Sequence, residues 1–250
     1  MNLLDTLRKF PELRRKLGFK IYCPNGDVEI GVVATCMKQA LYEVIVHCNR
    51  DVKTFMEAIK GSKVINWDLV AVQFTDRQVM ESMAHTMRSR SVEWCHLLSC
   101  DTIYLNRNLF DIQLPQEITF GFVSKEHVAL VNSMWEHRHP GSEWYFEQLI
   151  DSKLGYGLFE KESNNLVAWV FYTESGTYDN LYVLDSYRRK GFGELLVKIA
   201  YNIVRKNREY VYTFCVKGNS VALATFEKIG VKVIGETFWA VFMSKTRSKI

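Results

Sequence analysis

The stretch LYVLDSYRRKGFGELL, residues 181–196, carries the strongest signal of fold in this chain. It predicts a strand, a short turn and an amphipathic helix that begins at its second glycine. The turn carries an RxxGxG pattern: Arg188, Arg189, Lys190, Gly191, Phe192 and Gly193. Glycine leaves backbone N–H groups open to an anion, and a helix N-terminus adds unpaired donors and a favourable dipole. A bare RxxGxG is more often a solvated turn, but the strand before it and the helix after it favour an anion site.

A second motif follows the helix. A strand is predicted over residues 210–216, and NSVALATFEKIGV, residues 219–231, predicts a helix that is closed by Gly230. Asn219 opens this helix, where asparagine is also a good N-cap. Each of the two motifs is therefore predicted to be a strand followed by a helix.

Together, these motifs resemble those of the GNAT superfamily of acyl-CoA N-acyltransferases, with their (Q/R)xxGx(G/A) loop and later Tyr/Phe-Glu-Lys-x-Gly-Phe phrase. The resemblance covers roughly residues 119–243. It implies acyl-coenzyme A as co-substrate, a strand that splays from its neighbour, and the Val183 N–H as oxyanion donor. The residues implied to contact coenzyme A are Leu181, Tyr182, Val183, Arg188, Arg189, Lys190, Gly191, Phe192, Gly193, Glu194, Asn219 and Phe226. Asn219 is assigned equally to the pantetheine arm and to the N-cap.

Within this superfamily, the chain is similar to glycine N-acyltransferase-like proteins. ALVNSMWEHRHPGSEWYFEQLI, residues 129–150, is similar to their two-helix segment and implies an acceptor pocket near residues 135–142. The first half looks like their N-terminal domain, a degenerate copy of the same fold. We therefore expect domains at 1–112 and 113–250, with coenzyme A bound only by the second.

Two departures from the family pattern bear on catalysis. Phe226 stands where many members have a tyrosine that protonates the departing thiolate, and Thr177 stands where several have a glutamate base. Asp179, on the same strand face, is the nearest substitute base, and His137 and His139 are the alternatives. For each of the three, a solvated polar residue is the commoner role. The HxH pair lacks further ligands at metal spacing, so no metal is expected.

The order of predicted elements indicates an α/β (mixed α+β) fold with helices on the faces of a mixed sheet. Strands are predicted at 29–36, 41–47, 69–74 and 92–105, then at 119–123, 155–160, 166–172, 177–184 and 231–243. Helices are predicted over the first residues and at 52–60, 76–88, 125–135, 193–205 and 219–229, with a short one ending near 150. Residues 106–118, which contain Pro115, are the predicted linker.

The composition and charge of the chain limit which classes of function we expect. The chain has 250 residues, 48% of them hydrophobic, and a net charge of +4 from scattered cations, which does not favour nucleic acid. The six cysteines form no CxxC pair, and no apolar run is long enough for a bilayer. We expect a cytoplasmic protein, with a mitochondrial location as the alternative. The expected function is acyl transfer to the amine of a small acceptor such as glycine; the alternative is a catalytically weak or inactive acyl-CoA-binding protein.

Overall fold

The computed structural model describes residues 6, 8–60, 63–66, 70–74, 77–88, 92–206 and 211–244. They form a mixed α/β structure, and the chain divides into two compact units. One unit comprises residues 15–101, 139–141 and the chain from Gly235 onwards. The other comprises residues 102–138 and 142–234 with the N-terminal segment up to Arg14. Among the described residues, no helix is long and apolar enough to cross a membrane.

The first part of the chain alternates strands and helices. In chain order its elements are α1 (Pro11–Lys16), β1 (Lys20–Tyr22), a short 3-10 helix (Pro24–Gly26), β2 (Gly31–Lys38), β3 (Leu41–Cys48), α2 (Val52–Lys60), β4 (Val70–Phe74), α3 (Arg77–Arg88) and β5 (Val92–Leu105). The patterns predicted most of these within two residues. They missed β1, which is only three residues long. In the region of the predicted leading helix, Thr6, Arg8 and Lys9 are helical and α1 begins at Pro11. Residues 1–5 and 7 of that prediction, together with the predicted terminal residues Leu69, Asp76 and Tyr210, lie outside the described residues.

The second part begins after an irregular segment. Its elements are β6 (Ile118–Phe122), a 3-10 helix (Lys125–His127), α4 (Val128–Met134), α5 (Ser142–Asp151), β7 (Gly155–Glu160), β8 (Leu166–Tyr172), β9 (Thr177–Val183), a 3-10 helix (Asp185–Tyr187), α6 (Phe192–Arg205), β10 (Val211–Val216), α7 (Ser220–Lys228) and β11 (Lys232–Ser244). The helix predicted at 125–135 is therefore split. A capping box between Ser124 and His127 forms the N-terminus of the 3-10 helix, and α4 follows directly after His127.

In the unit that contains residues 15–101, the strands follow the order β1-β2-β3-β4-β11, and residues 92–101 of β5 come next to β11. Strand β3 pairs with β4 in parallel, and β11 pairs with β4 antiparallel from Phe238 to Phe242. Its core contains residues from both ends of the chain, since Phe238 and Ala240 of β11 are buried with Phe55 and Met83. Strand β11 thus joins a unit made mostly of residues from the first half of the chain, while the contiguous division at 112/113 stays a prediction. Strand pairing is non-local, so the sequence order of strands does not reveal it.

The other unit arranges the last residues of β5 and five whole strands in the order β5-β10-β9-β8-β7-β6. The pairs from β6 to β9 are antiparallel, and β10 pairs with β9 in parallel. Helix α6 buries Leu196, Ala200 and Tyr201 against this sheet.

Rings of α5 contact β8, with the Phe146 and Phe171 centroids 5.0 Å apart. Gly193 of α6 lies against Val183, which stands opposite Ala168 of β8, three residues before Phe171. Residues an odd number apart on a strand point to opposite faces, so α6 and α5 lie on opposite faces of the sheet.

The predicted linker has no helix or strand before Ile118, where β6 begins, but it is hydrogen-bonded to α6. The Tyr201 hydroxyl donates to the Arg107 carbonyl (2.8 Å) and accepts from the Arg107 N–H (3.0 Å). The Asn202 amide makes the same two-way contact with the Phe110 backbone, at 2.8 Å in each direction. Two side chains of α6 thus satisfy backbone groups that a free linker would present to water.

Candidate functional site

The site begins where the RxxGxG turn enters α6. Gly191 is the N-cap residue in a left-handed conformation (φ 82°), and the first helical bond joins the Leu195 N–H to the Gly191 carbonyl (3.0 Å). Gly191 has no side chain that could cap this end, and the N–H groups of Phe192, Gly193 and Glu194 have no partner within the helix. A Cβ at Gly191 would meet no heavy atom within 4 Å. The turn is therefore an open cluster of backbone donors that suits an anion.

The turn is anchored to β7 by a contact that the sequence did not reveal. The Tyr187 hydroxyl donates to Glu160 (2.9 Å), and the Tyr187 ring is stacked near Phe192 with centroids 6.3 Å apart. Hydrogen bonds from Ser163 and Tyr187, together with the nearby Lys190 charge, lower the pKa of Glu160. The hydrogen bond to Glu160 raises the pKa of Tyr187 in turn. No local pattern marks Glu160, which lies 27 residues before its partner.

Strand β9 diverges from β10. Their parallel register consists of Tyr212 opposite Thr177 and Thr213 opposite Tyr178. On its other side, β9 stays paired with β8 as far as Val183 opposite Ala168. Within the described part of the chain, the last residues of β9 thus have a strand partner on one side. This is the splay that the resemblance implied.

The backbone at the end of β9 presents a donor to that gap. The Leu184 N–H donates to the Val167 carbonyl of β8 (3.0 Å). Because successive N–H groups of an extended strand point to opposite sides, the Val183 N–H points away from β8, towards the gap. The Val183 carbonyl lies on that same side and accepts a hydrogen bond from Arg188 Nε (3.1 Å). The Val183 N–H is thus directed into the gap, and its role as an oxyanion donor stays a prediction.

The basic side chains of the turn differ in their surroundings. Arg188 pairs with Asp185 (2.9 Å), and its Nε donates to the Val183 carbonyl. Arg189 is exposed with a left-handed backbone (φ 66°), and the Lys190 ammonium lies 5.0 Å from the Tyr187 ring centroid. Glu194, in the first turn of α6, forms an ion pair with Lys198 one turn further along. That pairing offsets the only acidic charge in the first turn of the helix.

A β-bulge interrupts β9 just before this segment. The register shifts between Trp169 and Phe171, so Asn180 and Leu181 both lie opposite Val170. Asn180 has a left-handed backbone (φ 55°), and its side-chain oxygen accepts from Trp169 Nε1 (3.3 Å). Asparagine tolerates this conformation better than most residues, which is the one local signal that could have indicated the bulge.

A row of rings connects the predicted acceptor segment to β9. His137 lies against Trp135 (centroids 6.4 Å apart), Trp135 against Phe146 (5.2 Å), and Phe146 against Phe171 (5.0 Å). Phe171 stands directly opposite Asp179 in the β8–β9 ladder. Two of the three candidate bases, His137 and Asp179, thus flank the same aromatic surface.

The candidate bases have different local partners. Asp179 is exposed, and its carboxylate accepts from the Asn180 N–H (2.7 Å). His137 is exposed, whereas His139 is grouped with the other unit and its Nδ1 donates to the Pro140 carbonyl (3.0 Å). Thr177 is buried, and its hydroxyl lies within hydrogen-bonding distance of Thr173 and Ser175. The position of the family's glutamate is therefore part of a buried hydroxyl cluster.

The second motif has a structural role at both of its marked residues. The Asn219 side chain accepts from the Ala222 N–H (3.0 Å), which makes it the N-cap of α7. Phe226 is buried and lines a small apolar cleft with Tyr178, Val197 and Tyr201. The N-cap role of Asn219 is thus observed, while its pantetheine contact stays a prediction.

Comparisons with known proteins agree with this geometry. Residues 155–240 match the family model described as FR47-like protein, and a comparison with curated proteins finds no match. The X-ray structure of a Drosophila protein is similar over 96% of this chain and 88% of that chain, with 20% identity and a TM-score of 0.80. A GCN5-related N-acetyltransferase from Kribbella flavida is 12% identical over 96% and 95% of the two chains, with a TM-score of 0.55.

A further similar structure is a tandem GNAT protein from the clavulanic acid biosynthesis pathway. It is 14% identical over 85% of this chain and 79% of that chain, with a TM-score of 0.52. Identities this low establish a shared fold and no more. The chain therefore has the fold of the GNAT acetyltransferases, and its match to the FR47-like family model falls on the strands, turn and helices that build the site.

Proposed function

We propose that the protein is an acyl-CoA-dependent N-acyltransferase that acts on the amine of a small acceptor such as glycine. The observation that carries the proposal is the uncapped N-terminus of α6, opened by left-handed Gly191, beside the end of β9 where that strand has left β10. A donor cluster for an anion and an oriented backbone N–H then lie on consecutive segments. An acyl-CoA thioester requires both.

The residues of the turn fit the pyrophosphate of coenzyme A. The amides from Lys190 to Glu194 would hold it, with Arg189 and Lys190 as cations at the rim. The space around Gly191 leaves the backbone approachable. When bound, acyl-CoA supplies an acyl group activated as a thioester. Leu181 and Tyr182 would offer backbone groups to the pantetheine arm.

The chain's own residues would contribute positioning and electrostatics. The Val183 N–H would stabilise negative charge on the carbonyl oxygen, and Asp179 or His137 would accept the proton of the attacking amine. His139 stays a third candidate. Phe226 offers no proton to the departing thiolate, whose conjugate thiol has a pKa of about 8.5 and so leaves tolerably well. Lost general-acid assistance costs about 10²- to 10⁴-fold in rate.

A second candidate is an acyl-CoA-binding protein with weak or no catalysis. Two observations favour it: Thr177 is enclosed by hydroxyl groups, and Phe226 lies in an apolar cleft. Threonine cannot replace a glutamate as general base at neutral pH, and phenylalanine cannot replace a tyrosine as general acid. The proposed enzyme and this alternative share the coenzyme site and differ only in turnover. The domain division at 1–112 and 113–250, with a degenerate first domain that binds no coenzyme A, belongs to both proposals.

Calorimetry of coenzyme A binding tests the site. Gly193→Asp should abolish binding, because a carboxylate would lie among the donors that the pyrophosphate needs. Gly193→Ala is the matched control, since its Cβ would meet Val183 Cγ2 at 3.5 Å and Thr225 Cγ2 at 3.9 Å, both ordinary contacts. One equivalent per chain is expected. Unchanged binding by the Asp variant, or two equivalents in the native chain, would contradict the assignment.

Turnover is tested by coenzyme A release from acetyl-, butyryl- and benzoyl-CoA with glycine and a panel of other amines. Asp179→Asn should lower the rate by about tenfold or more if Asp179 is the base, whereas His137→Gln or His139→Gln should do so if a histidine is. Phe226→Tyr should leave the rate unchanged or raise it modestly. Tight coenzyme A binding without turnover on any donor would leave only the second candidate.

A further inference from the structure

We infer that Arg188 is a positioning residue that holds the oxyanion segment of β9, and that it is not a ligand of the pyrophosphate. The inference rests on the proposed function, which assigns the Val183 N–H to the thioester oxygen. The sequence pattern groups Arg188 with Arg189 and Lys190 as three equivalent cations. Their contacts separate them.

The Arg188 guanidinium is engaged on two sides. Its Nε donates to the Val183 carbonyl (3.1 Å), and its Nη2 lies 2.9 Å from Asp185. Asp185 opens the 3-10 turn directly after β9, so one planar group bridges the end of the strand and the start of the turn. The carbonyl contact fixes the backbone of Val183 itself, the residue whose N–H faces the gap.

The same guanidinium ends a stack that continues to the bulge. It lies 5.3 Å from the Tyr182 ring centroid, and Tyr182 is stacked on Trp169 with centroids 5.1 Å and planes 21° apart. Trp169 is fully buried and donates to the Asn180 side chain. Arg188 and Asn180 therefore secure the Leu181–Val183 segment from its two ends.

Charge compensation argues against a phosphate role for Arg188. Asp185 neutralises it locally, whereas neither Arg189 nor Lys190 forms an ion pair among the described residues. An exposed ion pair by itself contributes little, but guanidinium geometry lets Arg188 bond the carbonyl, pair with the carboxylate and cover a ring at once. A lysine retains the charge and cannot make this set of contacts.

The test compares Arg188→Lys and Arg188→Gln with Lys190→Gln and with Lys206→Gln, which removes a charge at the far end of α6. Both Arg188 variants should lower kcat by about tenfold to a hundredfold, because small displacements of reacting groups have effects of that size. Their Kd for coenzyme A should stay within about twofold of the native value, while Lys190→Gln should weaken it. Lys206→Gln should match the native protein in both measurements. Native kcat in Arg188→Lys, with weakened coenzyme A binding in Arg188→Gln, would overturn the inference and make Arg188 a phosphate cation.

A second measurement does not require turnover. The Leu184 N–H, bonded to Val167, reports the order of the segment, and its hydrogen exchange can be followed by NMR in the free protein. Exchange should accelerate in both Arg188 variants and not in Lys206→Gln. If the native protein turns over no acyl-CoA, the proposed function fails and this readout still decides the positioning role. Unchanged exchange in both Arg188 variants would overturn it.

Discussion

Replacing Gly191 tests whether its left-handed backbone supports coenzyme A binding. Gly191 has φ 82°, a conformation that costs an L-residue about 1–2 kcal/mol. Its surroundings are empty within 4 Å of the position of a Cβ, so a side chain there meets no steric obstacle. Any effect of Gly191→Ala therefore comes from the backbone.

The free-energy cost of the left-handed backbone at residue 191 is obtained by comparing Gly191→Ala with Gly191→Asn. Both substitutions restrict the unfolded chain relative to glycine, an effect of about 0.4–1 kcal/mol that largely cancels between them. Asparagine tolerates the left-handed region, and alanine does not. The alanine variant should therefore be worse by about 1 kcal/mol. If its turn stays left-handed, the loss appears in the free energy of unfolding; if the turn relaxes, the loss appears as about fivefold weaker coenzyme A binding.

Chemical denaturation and calorimetry on the two variants measure both quantities. Between the Ala and Asn variants, the difference in the free energy of unfolding and the difference in the free energy of coenzyme A binding should add up to about 1 kcal/mol. The backbone strain is the same in both measurements and is counted only once. Equal stability together with equal coenzyme A affinity in the Ala and Asn variants would refute the reasoning. The conformation of Gly191 would then be incidental to binding.

Three further predictions concern stability. Asn219→Ala should lower the free energy of unfolding by about 1 kcal/mol in denaturant titrations because α7 loses its N-cap, and Asn219→Ser should retain most of it. Tyr201→Phe should lower it by about 1–3 kcal/mol, because both backbone groups of Arg107 lose their partner. The folded pKa of Glu160 is lowered, so its contribution is present above the ordinary value of 4.5 and is lost as the pH falls through the folded pKa. The melting temperature should therefore fall less steeply between about pH 6 and pH 3 in Glu160→Gln than in the native protein, because glutamine does not titrate. Identical melting profiles of the two proteins would contradict this assignment.

Local elements were predictable because their signals are local. The amphipathic period of residues 193–205 predicted α6, and the glycines at 191 and 193 predicted its open N-terminus. The strands at 155–160 and 166–172 were predicted with their observed bounds. The site contacts of Glu160 and Asn180 were not predictable, since each depends on a partner that is distant in sequence or on a change of register.

Local signals in the sequence were enough to predict that a strand, a glycine-containing turn and a helix follow one another at residues 181–196, because propensity, glycine and period act within a few residues. The contacts of those residues depend on the tertiary structure. Pairing along the sheet ends the β9–β10 ladder at Tyr178, so the Val183 N–H faces a gap. Side-chain packing distinguishes Arg188, bound to Val183, from the neighbouring cations of identical charge. The same pairing places β11 beside β4, across more than 150 residues of chain. Such contacts join segments far apart in sequence, and the free energy that selects them comes from burial and hydrogen bonding in the folded chain.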